Sequence, residues 1–294
     1  MKVTIRSDRL TVDIQSLGAE LASVRSADGI EYLWQGDPAH WSGRAPILFP
    51  YAGKLTGGHF LAEDGRVYEG GQHGFARDLE HRLVSQTANE LTFELTSGGE
   101  TYAYFPYDFA LRSTYTLEGR RISHSVAVRN TGKGTLRFGF GYHPGFALPF
   151  DDAHTAEDYD VVFDTIESPL CLNTAPNGLV CASPDYYLAR NVDRIPLSAK
   201  LFAHDSHCMV NLKSKTMAVV ERDTGRRIVV DIADFPYTLI WSTPQEPMRF
   251  ICIEPWHSIP SEDNGPIEWE KKPCAASLAP NEMWQTTLNV TFER

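Results

Sequence analysis

A chain of 294 residues with 42% apolar and 22% charged side chains has an ordinary globular composition and enough length to bury a substantial core. Its formal net charge of -11 argues against nucleic acid as a partner, because phosphates need a basic face. No apolar run is long enough to span a bilayer and Met1–Asp8 has no signal-peptide core, so the expectation is a cytoplasmic protein without a membrane partner. In chain order, Val3–Ile5 and Leu10–Ile14 alternate apolar with polar residues, the pattern of half-buried strands, and Leu17–Val24 continues it through a glycine that predicts a bulge or bend. Leu91–Leu95 alternates likewise. Phe109–Leu117 and Ile122–Val128 flank Glu118-Gly119-Arg120 as a hairpin, and Asn130–Gly134 is the next turn. Met217–Glu221 and Arg227–Ile232 make another hairpin around Asp223-Thr224-Gly225. Tyr237–Trp241, Phe250–Ile253 and Trp284–Phe292 complete the series. No apolar helical period is sustained over four turns. The prediction is an all-β, large antiparallel β-sandwich forming a single domain over residues 1–294.

Four stretches carry chemistry. Arg44–Leu55 brackets an apolar run between Pro46 and Pro50 and then delivers Lys54 after Gly53. Its plainer reading is a sheet edge over the core with a solvated lysine. Gln72-His73-Gly74-Phe75-Ala76-Arg77-Asp78 crowds an imidazole, an amide, a guanidinium and a carboxylate into one loop, where a surface Arg77–Asp78 pair is the alternative to a site. Leu136–Phe146 reads as a strand whose Gly139 and Gly141 let other groups approach, with His143 at its end and Pro144 closing the ladder. Phe250–His257 delivers Glu254 after four apolar residues, and Pro255 is expected to stop pairing directly after it. A carboxylate in such a run is costly unless it is bonded or functional. His143 and Glu254 together meet the needs of general acid–base catalysis, with ordinary pKa values near 6.5 and 4.3.

These stretches resemble the aldose 1-epimerase (galactose mutarotase) family, in its LacX-like branch. The shared elements are A-P-I-L-F-P-x-x-G-K-L at 45–55, Q-H-G-F-A-R at 72–77, G-Y-H-P-G-F at 141–146 and I-E-P-W at 253–256, with a weaker segment at 201–214. The resemblance implies a galactose mutarotase-like supersandwich with a sugar site on a concave face. It implies that His143 is the general acid and Glu254 the general base, and that His73, Arg77, Asp205 and Lys54 bind substrate. Lys54 stands where arginine is frequent in the family. Gly145 stands where a bulky residue is common, which predicts an open pocket wall.

Interconverting anomers needs a base at O1 and an acid at the ring oxygen, and His143 with Glu254 supplies both without cofactor or metal. A neighbouring carboxylate is expected to keep His143 protonated near neutrality. The pH profile should then be a bell, with its acid limb from Glu254 and its basic limb from His143. His204-x-x-His207 beside Asp205 is only a partial metal-ligand set. The five cysteines, Cys171, Cys181, Cys208, Cys252 and Cys274, share no C-x-x-C spacing and read as reduced structural thiols. The expected partner is a small-molecule sugar, with a homodimer left open. Two alternatives stand beside the free-aldose anomerase. One is a hexose-6-phosphate 1-epimerase, whose phosphate clamp would draw on Arg44, Arg77, Arg137 and Arg249. The other is a carbohydrate-binding protein without turnover.

Overall fold

The computed structural model describes residues 1–174 and 176–294. Among the described residues the largest sheet has nine strands, in the order Val192–Pro196, Tyr159–Glu167, Thr216–Glu221, Arg227–Asp231, Met283–Glu293, Arg121–Asn130, Phe109–Glu118, Glu90–Thr96 and Arg82–Gln86. Every neighbouring pair is antiparallel. Phe109–Glu118, Arg121–Asn130 and the end of Met283–Glu293 bury alternate residues, as their period of two requires. Arg121 pairs with Glu118 across Gly119-Arg120, which is the predicted hairpin.

The second sheet has eight strands and runs from Tyr186–Tyr187 through Leu170–Leu172, His207–Val210, Tyr237–Trp241, Phe250–Trp256 and Gly141–Tyr142 to an edge at Ile47–Leu48. Gly145–Ala147 also pairs with Phe250–Trp256. That central strand is buried at all seven positions, which explains its unbroken apolar run. A third sheet joins Lys2–Arg6, Leu10–Gln15 and Leu21–Ser26. Buried tyrosines tie the sheets together. The Tyr142 hydroxyl donates to the His124 carbonyl at 2.8 Å, and the Tyr115 hydroxyl to the Ala19 carbonyl at 2.7 Å. The core between these sheets is aromatic-rich, with Phe49, Phe93, Phe109 and Phe138 fully enclosed.

Three expectations need correction. Leu17–Val24 bends at its glycine as expected but is not one strand: Gly18 and Ala19 turn with φ of 67° and 48°, and pairing resumes only at Leu21. Pro144 interrupts the ladder without ending it, since Gly145 pairs again with Cys252. Pro255 does not stop its strand either, which continues to Trp256 against Tyr237. The reason is geometric. Proline removes a donor and fixes φ near an extended value, so a strand survives where no partner needs that donor. Tyr159–Glu167 and Val192–Pro196 were not foreseen, because acidic residues break their alternation.

Candidate active site

Gly141 pairs with Trp256 and Gly145 with Cys252 in one common register, so His143 falls opposite Glu254. The two prolines flank this position and leave the ladder open there. The His143 backbone N–H turns instead to the Pro46 carbonyl at 3.1 Å. His143 Nε2 and Glu254 Oε2 approach to 3.3 Å, and both residues line a cleft of about 710 Å³. The histidine sits in an aromatic box. The Trp41 indole stacks over its ring at 4.9 Å and 27°, while Trp241 and His73 present edges at 5.6 Å and 5.5 Å.

His73 reaches the box because its loop docks on the strand edge. Gly74 bridges Phe49 in parallel with φ of 70°, and a Cβ there would lie 2.2 Å from the Phe49 carbonyl oxygen. Only glycine fits both the conformation and the approach. The Gly53 N–H donates to His73 Nδ1 at 3.0 Å, so the proton of the neutral ring is on Nε2.

Electrostatics in the box are governed by burial. Loss of solvent pushes the His143 pKa down to about 3, with the Arg77 guanidinium adding to the effect. Burial lowers His73 well below its ordinary value too, with His143 and Arg77 adding to it. Glu254 is pushed well above the usual carboxylate range by burial, and the Asp205 charge pushes in the same direction. The expectation of a resting imidazolium is therefore corrected. Taking two facing groups out of water favours their neutral forms, so burial favours an imidazole and a carboxylic acid sharing one proton over the ion pair.

Arg77 and Asp205 both line the cleft. The Arg77 guanidinium donates to the Gln72 carbonyl at 2.9 Å and stands 3.8 Å from Asp78, so the surface pair of the plainer reading exists without taking Arg77 out of the cleft. Asp205 is held at φ of 78° behind a turn bond to the Phe202 carbonyl. Lys54 packs beside Gly178, a residue of the cleft wall. Its ammonium donates to the Asn177 carbonyl at 2.8 Å on the exposed side. The predicted open wall at Gly145 is closed: a Cβ there would meet the Trp41 ring at 2.8 Å, so an indole from another loop fills the space. Trp41 and Trp241 were missed, because an aromatic residue in a β protein reads as core. The signal present was Trp41-Ser42-Gly43-Arg44 immediately before the 45–55 run.

His204 and His207 do not form a ligand pair, since the His207 ring nitrogens bond the Leu201 carbonyl and the Tyr186 hydroxyl, each at 2.7 Å. His143, Cys252 and Glu254 do place donor atoms within 4.8 Å of one another. All five cysteines are free thiols.

An antiparallel supersandwich that holds a buried histidine–carboxylate pair in an open cleft defines a class, the galactose mutarotase-like proteins. The chain matches the aldose 1-epimerase family over residues 1–290 and belongs to it. It is 32% identical to the chromosomal LacX protein of Lactococcus lactis subsp. lactis, over 99% of each chain. Among solved structures, a galactose mutarotase related enzyme from Lactobacillus acidophilus superposes with a TM-score of 0.94 at 29% identity, over 100% of this chain and 98% of that one. A galactose mutarotase-like protein from Lactobacillus casei gives 0.89 at 27% identity, over 100% of both chains.

Proposed function

We propose that the protein is an aldose 1-epimerase that interconverts the α and β anomers of a free aldohexose by acid–base ring opening and closure. The observation that carries this reading is the 3.3 Å approach of His143 Nε2 to Glu254 Oε2 on the wall of the cleft. Between them the pair holds one proton and one vacant basic site. With a sugar seated, Glu254 takes the proton from the anomeric O1 while His143 gives one to the ring oxygen. The C1–O5 bond breaks, the C1–C2 bond rotates, and the reverse transfers close the ring on the other face. Sugar hydroxyls solvate the ionic form of the pair, which moves the shared proton onto His143 when substrate arrives. Concerted transfer avoids a free alkoxide, and each group contributes about 10²–10⁴-fold. Arg77 and Asp205 hold sugar hydroxyls. Residues 1–294 act as one domain, and its place is the cytoplasm.

An unphosphorylated substrate fits the charges of the cleft better than a sugar phosphate. Of the four candidate arginines only Arg44 and Arg77 line it, and Glu20, Asp78 and Asp205 share the wall. Polarimetry or NMR of α-glucose and α-galactose with and without the protein tests the reading. Accelerated approach to the anomeric equilibrium, slowed by about 10²-fold or more in Glu254→Gln, is expected. If no aldose or aldose phosphate is turned over, the reading fails and a sugar-binding role takes its place.

A further inference from the structure

The pair on which the proposed anomerase rests has a third neighbour that the reaction does not use. Cys252 lies two residues before Glu254 on the same strand, hence on the same face. Gly145 opposes Cys252 just as His143 opposes Glu254, so the thiol and the imidazole face each other across neighbouring strands, with the Trp41 ring packed beside them. The three donor atoms fall within 4.8 Å of one another, all on buried residues, with the His143–Glu254 separation already 3.3 Å.

We propose that His143, Cys252 and Glu254 form a binding site for a borderline-soft divalent cation of the zinc class, and that the bound cation inhibits the protein by occupying its acid and its base. The donor set selects the ion. An imidazole, a thiolate and one carboxylate suit Zn²⁺, whereas Mg²⁺ and Ca²⁺ prefer all-oxygen shells. Charge makes the complex tolerable in a dry site, because one thiolate and one carboxylate neutralise a divalent cation. Binding releases the thiol and carboxyl protons to solvent, so charge balances. Entry is from the cleft, which His143 and Glu254 line, and a fourth ligand position is left there for water. Trp41 is stacked over the imidazole and packs with the cluster that contains Cys252, which keeps other ligands out. The plain alternative is that Cys252 is a small core residue.

The test uses the full chain in metal-free buffer, with Zn²⁺ added under calorimetry and under an anomerisation assay. One Zn²⁺ should bind, activity should fall along the same titration, a chelator should restore it, and Mg²⁺ should do nothing. Cys252→Ser should bind zinc more than about tenfold more weakly, with its zinc-free anomerisation within about twofold of wild type. Cd²⁺ provides a readout independent of activity: a thiolate-to-metal absorption band should appear with wild type and be missing with Cys252→Ala. No bound zinc, unchanged affinity in both cysteine variants, or bound zinc that leaves anomerisation untouched would each overturn the proposal. Should the protein turn over no sugar, calorimetry and the cadmium band still decide the site, and only the anomerase reading falls.

Discussion

At the scale of single residues, the proposed mechanism has His143 and Glu254 work as a unit, so their variants should behave as one. Glu254→Gln and His143→Asn should each lower kcat by about 10²-fold or more with smaller changes in affinity, because the lost interaction belongs to the transition state. The double variant should be far less than multiplicatively worse, and comparing the four proteins by polarimetry decides it. Burial also dictates the pH profile. The active one-proton state is lost on the acid side when His143 takes a second proton, near its lowered pKa of about 3. It is lost on the basic side when Glu254 ionises, which burial delays well above 4.5. The limbs are thus the reverse of what ordinary pKa values imply, and the plateau of kcat/KM should be wide. Glu254→Gln should abolish the basic limb in its residual activity; a basic limb that persists there would refute this assignment. Trp41→Ala should let water reach the imidazole, so NMR titration should find the His143 pKa moved up towards 6.5.

At the scale of elements, the site is an interrupted ladder. Two prolines open the pairing between Gly141–Tyr142 and Phe250–Trp256 at the position where the histidine and the carboxylate face each other. The loop carrying His73 must then lock onto Phe49 for the box to close. Gly74→Ala forces a Cβ against the Phe49 carbonyl oxygen at a φ of 70°. It should destabilise the fold by at least about 1–3 kcal/mol. Activity should fall with it, because His73 shifts. Denaturant unfolding with a parallel activity assay checks this. A Gly74→Ala variant of wild-type stability would show that the loop docks by other means.

At the scale of the whole molecule, the buried histidines set the response to acid. Among the described residues His73, His81, His124, His143, His207 and His257 all have pKa values lowered first by burial. Below 6.5 the unfolded chain takes up protons that the folded chain refuses, so stability falls as pH falls. Each such histidine contributes a slope of about 1.4 kcal/mol per pH unit down to its folded pKa. Glu254 acts in the opposite sense above 4.5, because its raised pKa keeps a proton that the unfolded chain loses. His154, raised to about 9 by Asp151 and Asp223, adds stability that is complete below 6.5 and lost only as pH rises towards 9. Chemical denaturation at pH 7, 6 and 5 should therefore show a steady loss of stability before the carboxylates titrate. A flat response over that range would show that these rings are solvated.

Most strands of the large sheet were legible in the chain, because a sheet with one buried face writes a period of two into its residues, whereas Tyr159–Glu167, Val192–Pro196 and Arg82–Gln86 carry no clean alternation. Phe109–Glu118 and Arg121–Asn130 follow that pattern and pair as expected. His143 and Glu254 stood out for a similar local reason: a titratable group ending an apolar run costs free energy that something must offset. Their partnership was not local. Residues 143 and 254 meet because two strands far apart in sequence share a register, and register is a tertiary property. The same holds for Trp41, which closes the space beside Gly145 from a loop about a hundred residues away in sequence. Protonation was the least legible of all. A pKa depends on which groups are taken out of water together, and only the packed box of Trp41, Trp241 and His73 around His143 decides that.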